Sequence, residues 1–268
     1  MQTRSLPVGE QLRAWRSRRR LSQLDLALEA DISARHLSFL ETGRSRPSRG
    51  MLLRLADRLA IPARERNLLL VAAGFAPALP ERSLDDPALA AARRAVELVL
   101  KAHEPFPALA VDRHWQLVAA NAGVAPFLAG AAPHLLAPPV NVLRLSLHPE
   151  GLAPRIENLA EWRAQILDRL GAQVAASGDP ALATLLEELR SYPGGSAAGL
   201  DDYAGVAVPL RVRAGEAVLS FLSTTTMFGT PIDVTLTELA IEAFLPADDA
   251  TAALLHAPVT AEAGTPDR

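Results

Sequence analysis

Few side chains in this sequence have the types and spacing that catalysis requires. The chain has no cysteine, which excludes thiol nucleophiles, disulfides and cysteine zinc sites. His114, His134 and His148 lack the spacing of a His-x-x-x-His metal site. No Gly-x-Ser-x-Gly, phosphate-binding loop or dinucleotide fingerprint occurs. We therefore expect no catalytic residue, no bound metal and no enzymatic activity.

The charge distribution indicates recognition of an anion by the N-terminal part. Residues 1–76 contain 14 Arg and Lys against 7 Asp and Glu, a net charge of +7, whereas residues 77–268 contain 13 against 23, a net −10. Such a split is typical of a nucleic-acid-binding domain joined to a second domain, although solvated arginine-rich helices would give the same charge. The guanidinium of Arg35 can donate hydrogen bonds to O6 and N7 of one guanine. Ala34 or Phe39 can make an apolar contact with a thymine methyl group.

These side chains lie in a stretch, residues 21–43, that predicts two short helices joined by a tight turn. The first helix covers about residues 22–30 and the second residues 33–42, with Ser22 and Ser33 as N-caps and Gly43 after the second helix. The first helix has two candidate buried faces, one formed by Leu24, Ala27 and Leu28 and the other by Leu26 and Ala30. The second helix buries Leu37 and Leu40. Two helices this close in sequence cross steeply, as in a DNA-reading helix-turn-helix.

Three further helices complete this N-terminal part. We predict them at residues 8–19, 48–59 and 63–73, with Leu12 and Trp15 on the core face of the first. The pattern resembles the XRE/Cro-like helix-turn-helix family, and the matching residues are Leu21-Ser22-Gln23, Leu26-Ala27, Ile32-Ser33, Leu40-Glu41, Gly43-Arg44, Pro47-Ser48, Leu52 and Leu55-Ala56.

The resemblance implies roles for individual residues. Ser33, Ala34, Arg35 and Phe39 would face the major groove of double-stranded DNA, with His36 and Ser38 nearby. Gln23 would clamp a phosphate, and Thr42, Arg44 and Arg46 would make further backbone contacts, which orient the protein without specifying sequence. Arg16 and Glu41 match a pair that forms a salt bridge inside this fold.

The rest of the chain predicts a linker followed by an α+β domain. Residues 77–104 contain a proline-rich linker and a connecting helix at residues 88–102. A hairpin at residues 108–119 is followed by helices near residues 121–128, 141–147, 157–175 and 181–190, a loop at 193–199, and strands at 205–213, 217–226 and 238–245. This order predicts a five-stranded antiparallel, PAS-like sheet with a helical insert. Residues 257–268 are expected to be disordered.

A second resemblance covers this part. The matching segments are residues 111–121 (VDRHWQLVAAN), 141–145 (NVLRL), 148–151 (HPEG), 158–162 (NLAEW), 179–180 (DP), 188–193 (ELRSYP) and 219–231 (LSFLSTTTMFGTP). They resemble the MmyB-like ligand-binding domain, which typically follows this type of helix-turn-helix in bacterial transcription regulators. The resemblance implies a PAS-like sensor for a small molecule such as a fatty-acid-like ligand. We expect no cofactor.

Candidate ligand contacts follow from the predicted cavity between sheet and helices. Such cavities are mostly apolar with a few polar groups. The apolar candidates are Trp115, Leu117, Phe127, Trp162, Ile166, Phe221 and Phe228. The polar candidates are Asn121, Asn141, Arg144, His148, Arg155 and Asn158, with Arg144 and then Arg155 favoured as partners of a ligand carboxylate. Core packing and surface solvation are the alternatives for these residues.

Together these observations predict two domains, residues 1–76 and 105–256, joined by residues 77–104. We expect a cytoplasmic homodimer, since neither a signal peptide nor a membrane span is visible, that binds a palindromic operator and senses a small apolar molecule. In the alternative, the C-terminal domain only dimerises or binds a protein partner.

Overall fold

A computed structural model describes residues 6–195, 208–228 and 233–256 of the chain. It divides into two compact units: unit 1 comprises Met1–Leu89, Ala172–Pro180 and Phe228–Glu238, and unit 2 comprises Ala90–Gly171, Ala181–Met227 and Leu239–Arg268. Within the described residues, no helix combines the length and the apolar character needed to cross a membrane.

Five helices form the N-terminal part of unit 1, as predicted. They are α1 (Val8–Arg18), α2 (Gln23–Glu29), α3 (Ala34–Glu41), α4 (Arg49–Arg58) and α5 (Ala63–Ala72). Serine side chains cap three of them. Ser22 accepts from the backbone N–H of Asp25 in a reciprocal capping box, while Ser33 and Ser48 cap α3 and α4.

The core of unit 1 decides between the two faces that the sequence allowed for α2. Leu26, Ala27 and Ala30 are buried, whereas Leu24 and Leu28 are 59% and 71% exposed. Helix α1 packs closely against the end of α3 at Gly9. A Cβ atom at this position would lie only 2.4 Å from the carbonyl oxygen of Leu40. Glycine is therefore required at this contact.

Unit 2 is built on a five-stranded antiparallel sheet, which confirms the predicted fold. The strands are β1 (Ala108–Val111), β2 (Leu117–Ala120), β3 (Leu210–Ala214), β4 (Ala217–Met227) and β5 (Ala240–Pro246), in the order β2-β1-β5-β4-β3. Glu242 of β5 lies opposite Leu109 of β1 and Thr225 of β4, and Phe244 lies opposite Ser223. Because side chains alternate along a strand, these five residues share one face of the sheet.

Eight further helices lie along the described part of the chain, and one of them, α12, belongs to unit 1. Their bounds are α6 (Ala90–Ala102), α7 (Ala125–Leu128), α8 (Pro133–Leu136), α9 (Val142–Leu147), α10 (Leu159–Ser177), α11 (Pro180–Ser191), α12 (Val234–Thr237) and α13 (Asp249–His256). Short 3₁₀ turns occupy Pro87–Leu89, Ala122–Val124 and Ala153–Arg155.

Several boundaries differ from the prediction. Helices α8, α12 and α13 were not predicted. The last strand begins at Ala240, not at residue 238, because Asp233 caps α12 and the helix occupies Val234–Thr237. We predicted a strand over residues 205–213, of which residues 205–207 lie outside the described residues. Within the described part, this strand begins at Leu210. The predicted disordered tail and most of the loop at 193–199 also lie outside the described residues.

Candidate functional site

The exposed surface of α3 carries the side chains expected to meet DNA. Ser33 and Arg35 are exposed, while Ala34, His36, Ser38 and Phe39 are half-buried. The Arg35 guanidinium carbon lies 5.4 Å from the centre of the Phe39 ring, and that of Arg44 lies 6.0 Å from the same ring. Cation–π contacts of this kind hold two positive groups beside one aromatic side chain.

The turn after α3 adds three more of the predicted residues. Thr42, Arg44 and Arg46 are exposed, and the Thr42 hydroxyl donates to the backbone oxygen of Ser38 at 2.7 Å. This hydrogen bond fixes the end of α3, which leaves the two arginines on the exposed turn. Gln23 lies at the start of α2 and is half-buried.

A buried ion pair anchors α3, as the resemblance implied. The guanidinium of Arg16 donates to both oxygens of Glu41, from Nε at 2.6 Å and from Nη2 at 2.9 Å. Gln23 Nε2 donates to the same carboxylate at 2.8 Å. Burial raises the pKa of Glu41, but the hydrogen bonds from Arg16 and Gln23 outweigh it and hold the pKa below its usual value.

Unit 2 contains a cavity of about 120 Å³ between the sheet and the helices. This volume is about ten times the space that one water molecule needs. Its lining is mostly apolar and includes Pro107, Leu109, Trp115, Leu117, Val124, Phe127, Leu128, Val142, Leu143, Leu145, Leu152, Trp162, Ile166, Leu210 and Phe244. The polar lining residues are Ser146, Gln165, Arg169, Ser223 and Glu242.

Arg169 and Glu242 form the charged part of this lining. Arg169 Nη2 donates to Glu242 Oε1 at 2.7 Å and Nη1 donates to Oε2 at 3.0 Å. The guanidinium also lies over the ring of Trp115, 4.5 Å from its centre. Trp115 has a φ of +63°, a left-handed conformation that costs a bulky residue about 1–3 kcal/mol. Trp115 therefore has a strained backbone conformation at the position where its side chain lines the cavity.

Five of the predicted apolar contacts line the cavity and two do not. Trp115, Leu117, Phe127, Trp162 and Ile166 are in the lining. Phe221 is instead fully buried and packs edge-on against Phe127, with ring centres 5.5 Å apart. Phe228 belongs to unit 1.

The two arginines favoured as carboxylate partners are not in the lining. Arg144 donates to both oxygens of Glu188, at 2.6 and 2.7 Å. The same carboxylate accepts the hydroxyl of Tyr192, and burial together with this hydrogen bond raises the pKa of Tyr192 to about 12. Arg155 donates to backbone oxygens of residues 126, 127, 129 and 213 and so ties loops together. Both guanidinium groups are occupied by the protein itself.

The predicted asparagines also have structural partners outside the lining. Asn121 donates to the backbone oxygens of Leu100 and Phe106 and accepts from the N–H of Ala108. Asn141 caps α9, and Asn158 binds the backbone of residues 209 and 211.

His148 lies in a cluster that the sequence spacing did not reveal. Ligand atoms of His134, His148 and Glu150 lie within 4.8 Å of one another. However, Nδ1 of His148 accepts the backbone N–H of Glu150 at 3.0 Å, so Nε2 of the neutral ring carries the proton. A metal would need a lone pair at that nitrogen. The geometry therefore favours a structural role of His148 in this turn.

Gln165, Arg169 and Glu242 were not among the sequence candidates, although the sequence contains a signal for them. Gln165 and Arg169 lie three and seven residues after Trp162, on the helix face that also carries Ile166. Glu242 interrupts an otherwise apolar strand. Charged residues at such positions are rare unless they are paired.

The class of protein follows from these two sites. Unit 1 contains a helix-turn-helix with a basic exposed surface, and unit 2 contains an apolar cavity behind an antiparallel sheet. Comparison with known families agrees: a model described as a helix-turn-helix domain matches residues 7–69, and one described as an MmyB-like transcription regulator ligand binding domain matches residues 92–257.

The chain belongs to this family of MmyB-like transcription regulators, since the second match covers more than half of it. The predicted order of the two domains is confirmed. A search of curated proteins found no match. The protein is thus a transcription regulator with a DNA-binding and a ligand-binding domain, and both domains are those of regulators.

Proposed function

We propose that the cavity of unit 2 binds a small apolar molecule with a fatty-acid-like chain, and that binding changes the affinity of the protein for its operator. The observation that supports this proposal is the cavity itself, about 120 Å³ lined mainly by aliphatic and aromatic side chains. Ligand sites are mostly apolar with a few polar groups that fix orientation, and this cavity has both features.

Adjacent positions of β4 provide a matched test of this site. Ser223 lines the cavity, whereas the side chain of Thr224 points to the opposite face of the sheet and is exposed. Ser223→Phe should fill the cavity and abolish the thermal shift produced by a panel of fatty acids and related apolar compounds. Thr224→Phe should leave that shift unchanged.

Mass spectrometry of the denatured full-length protein gives an independent test. A co-purified apolar molecule, absent from Ser223→Phe, is the expected result. If no molecule is bound and no compound of the panel shifts the melting temperature, the C-terminal domain does not sense such a ligand. That outcome would favour a domain that only dimerises or binds a protein partner.

For the DNA-binding unit, we propose that Arg35 reads a base and that Arg44 contacts the phosphate backbone. Both side chains are exposed, Arg35 near the start of α3 and Arg44 on the turn after it. Ser33, Ala34 and Phe39 complete the proposed base-facing surface, with His36 and Ser38 nearby, and Gln23, Thr42 and Arg46 are the proposed further phosphate contacts.

The two arginines make a matched pair for testing. Arg35→Ala should weaken binding to the operator by about 1–3 kcal/mol and relax one base position. Arg44→Ala should weaken binding to all sequences alike and reduce the salt dependence of the affinity. Equal, sequence-independent losses in both variants would contradict the role of Arg35.

We further propose that the protein binds a palindromic operator as a homodimer. One helix-turn-helix presents a single recognition helix, and a two-fold pair places two such helices about 34 Å apart on DNA. Footprinting should protect two half-sites one helical turn apart, and sedimentation should give twice the chain mass. A monomer protecting a single half-site would contradict this proposal.

Residues 233–238, shortly before β5, are our candidate for coupling the ligand to DNA binding. They belong to unit 1, and the strand that follows them carries Glu242 of the cavity lining. In unit 1, Glu238 binds Arg64 of α5 at 2.8 Å. Glu238→Gln should reduce the effect of the ligand on operator affinity without changing ligand affinity, whereas Asp57→Asn, an exposed ion-pair variant in unit 1, should change neither.

A further inference from the structure

The segment that the sequence predicts as a linker is partly folded onto α5. Asn67 of α5 is buried, and its side-chain oxygen accepts the backbone N–H groups of Ala78 and Leu79 at 2.8 and 3.3 Å. Its Nδ2 donates to the backbone oxygen of Leu79 at 2.7 Å. A flexible tether keeps no fixed backbone hydrogen bonds. The start of the predicted linker is therefore part of unit 1.

Asp233, the residue before α12, holds the next part of this segment. Its side chain is fully buried and accepts the backbone N–H of Arg82 at 3.3 Å and the Arg82 guanidinium at 3.2 Å. The hydroxyl of Thr235 donates to the backbone oxygen of Arg82 at 2.6 Å. We call these contacts of Arg82 with Asp233 and Thr235 the latch. A buried carboxylate is costly unless it is paired, so the closed latch is the favoured state of these residues.

Arg64 of α5 attaches both sides of the latch to the DNA-binding helices. It donates to Glu238, shortly after Thr235, from Nε at 2.9 Å and from Nη2 at 2.8 Å. It also forms an ion pair with Glu81, the neighbour of Arg82. All of these residues belong to unit 1. The latch and Arg64 together therefore fix two distant parts of the chain on one helix.

The chain passes between the two units at five places, and the latch lies close to the first and the last of them. Residues 83–89 separate the bound Arg82 from the first crossing, and residues 236–238 separate Thr235 from the last. The closed latch thus leaves little free chain at either crossing. The five crossings follow Leu89, Gly171, Pro180, Met227 and Glu238.

The remaining part of unit 1, residues 172–180, is held by a weaker contact. Arg18 of α1 donates to the backbone oxygen of Ser177 at 3.0 Å, and this hydrogen bond is exposed. Water can replace an exposed hydrogen bond at little cost. Among these ties the buried Asp233 is therefore the one whose removal should have the largest effect.

Opening the latch would release enough chain to change the geometry of DNA binding. The r.m.s. span of a flexible chain is about 5–6 Å × √n for n residues, which gives about 17 Å for residues 80–89. That length is about half of one turn of DNA. Each added base pair moves a half-site by about 3.4 Å and rotates it by about 35°. A dimer with open latches would thus tolerate altered spacings that a dimer with closed latches rejects.

We propose that the closed latch fixes the separation of the two recognition helices in the dimer, and so makes the spacing of the operator half-sites a part of the specificity. This proposal rests on the proposed homodimer and its palindromic operator, and it adds the device that reads the spacing. Asp233 is a positioning residue, because it acts through Arg82.

Operators with altered spacing test this proposal in the full-length protein. An operator selected from random DNA is compared, by fluorescence anisotropy, with the same operator carrying five extra base pairs between its half-sites, about half a helical turn. The ratio of the two dissociation constants is the spacing penalty, and a general loss of DNA affinity cancels in it. The wild type should show a penalty of tenfold or more. Asp233→Ala should lower the penalty at least threefold.

Matched variants separate opening of the latch from the loss of a helix cap or of a hydroxyl group. Asp248→Ala removes the carboxylate that caps α13 in unit 2, and it should keep the wild-type penalty. Thr235→Val removes the hydroxyl that binds Arg82 and should lower the penalty at least twofold. Thr237→Val removes a hydroxyl that binds within α12 and should not lower it. Thr235→Val decides the test if Asp233→Ala does not fold.

The outcomes distinguish the latch from the dimer. The latch proposal is overturned, while the homodimer stands, if the penalty stays at the wild-type value in Asp233→Ala and Thr235→Val. It is also overturned if the wild type protects two half-sites but shows no penalty. A wild type that sediments as a monomer and protects one half-site would overturn the homodimer, and the latch proposal with it.

Discussion

Removal of Arg16 should be among the most damaging single substitutions in unit 1. Its partner Glu41 has a side chain that is 1% exposed, and Arg16 supplies two of the three hydrogen bonds to that carboxylate. Arg16→Met leaves the charge buried with Gln23 as its remaining donor. Breaking a buried ion pair from one side costs about 3–5 kcal/mol, a large part of the 5–15 kcal/mol that stabilises a typical domain.

Native-state hydrogen exchange of peptides from α1 and α3 measures this loss in the full-length protein. Asp57→Asn breaks the ion pair with Arg66, in which Asp57 is 62% exposed, and should cost less than about 1 kcal/mol. The double variant Arg16→Met/Glu41→Met removes both charges and should recover much of the loss. The reasoning would be refuted if Arg16→Met lowered the unfolding free energy by no more than Asp57→Asn does. It would also be refuted if the double variant lost as much unfolding free energy as Arg16→Met and Glu41→Met lose together.

Three further predictions concern unit 1. The pKa of Glu41 is held below its ordinary value of 4.5, so the ionised carboxylate stabilises the fold fully above pH 4.5, and this stabilisation is lost as the pH falls through the lower pKa of the folded state. Glu41→Gln should therefore be less stable than the wild type at pH 7. Urea unfolding should show that the difference in unfolding free energy between the two proteins shrinks below pH 4.5. Gly9→Ala should cost about 1–3 kcal/mol in the same assay, since its Cβ would collide with the α3 backbone. Ala60→Gly should raise the unfolding free energy by about 1 kcal/mol, because Ala60 has a φ of +46°, which glycine adopts without strain. Ala14→Gly, inside helix α1, should lower the unfolding free energy. If both variants are less stable than the wild type, Ala60 is not strained.

Local chemistry explains why much of the fold could be predicted from the sequence. The serines at residues 22, 33 and 48 precede apolar helical patterns, and each caps a helix in the structure. Strand-like runs and turn residues likewise predicted two strands, several helices and three further strands along the chain, although not the order of the strands in the sheet. Both signals act over a few residues, so they survive without knowledge of tertiary contacts.

The candidate ligand site was harder to predict because its members depend on tertiary pairing. Arg144 and Arg169 both lie on amphipathic helices, and the sequence does not show that Glu188 pairs with the first while the second lies over Trp115 in the cavity. The period of the helix placed Trp162 and Ile166 correctly. It could not show that Gln165 Oε1 would be left without a partner, since that depends on every neighbouring donor.

The most direct test of the central claim is operator affinity with and without a cavity ligand. The operator is a sequence selected from random DNA by the full-length protein, and its dissociation constant is measured by fluorescence anisotropy with no addition, with 1-decanol and with decanoate. We predict that at least one compound changes the dissociation constant of the wild type by tenfold or more, and that neither changes that of Ser223→Phe. The claim that the protein is a ligand-responsive regulator would be contradicted if calorimetry shows that a compound binds but the operator dissociation constant of the wild type is the same in all three conditions.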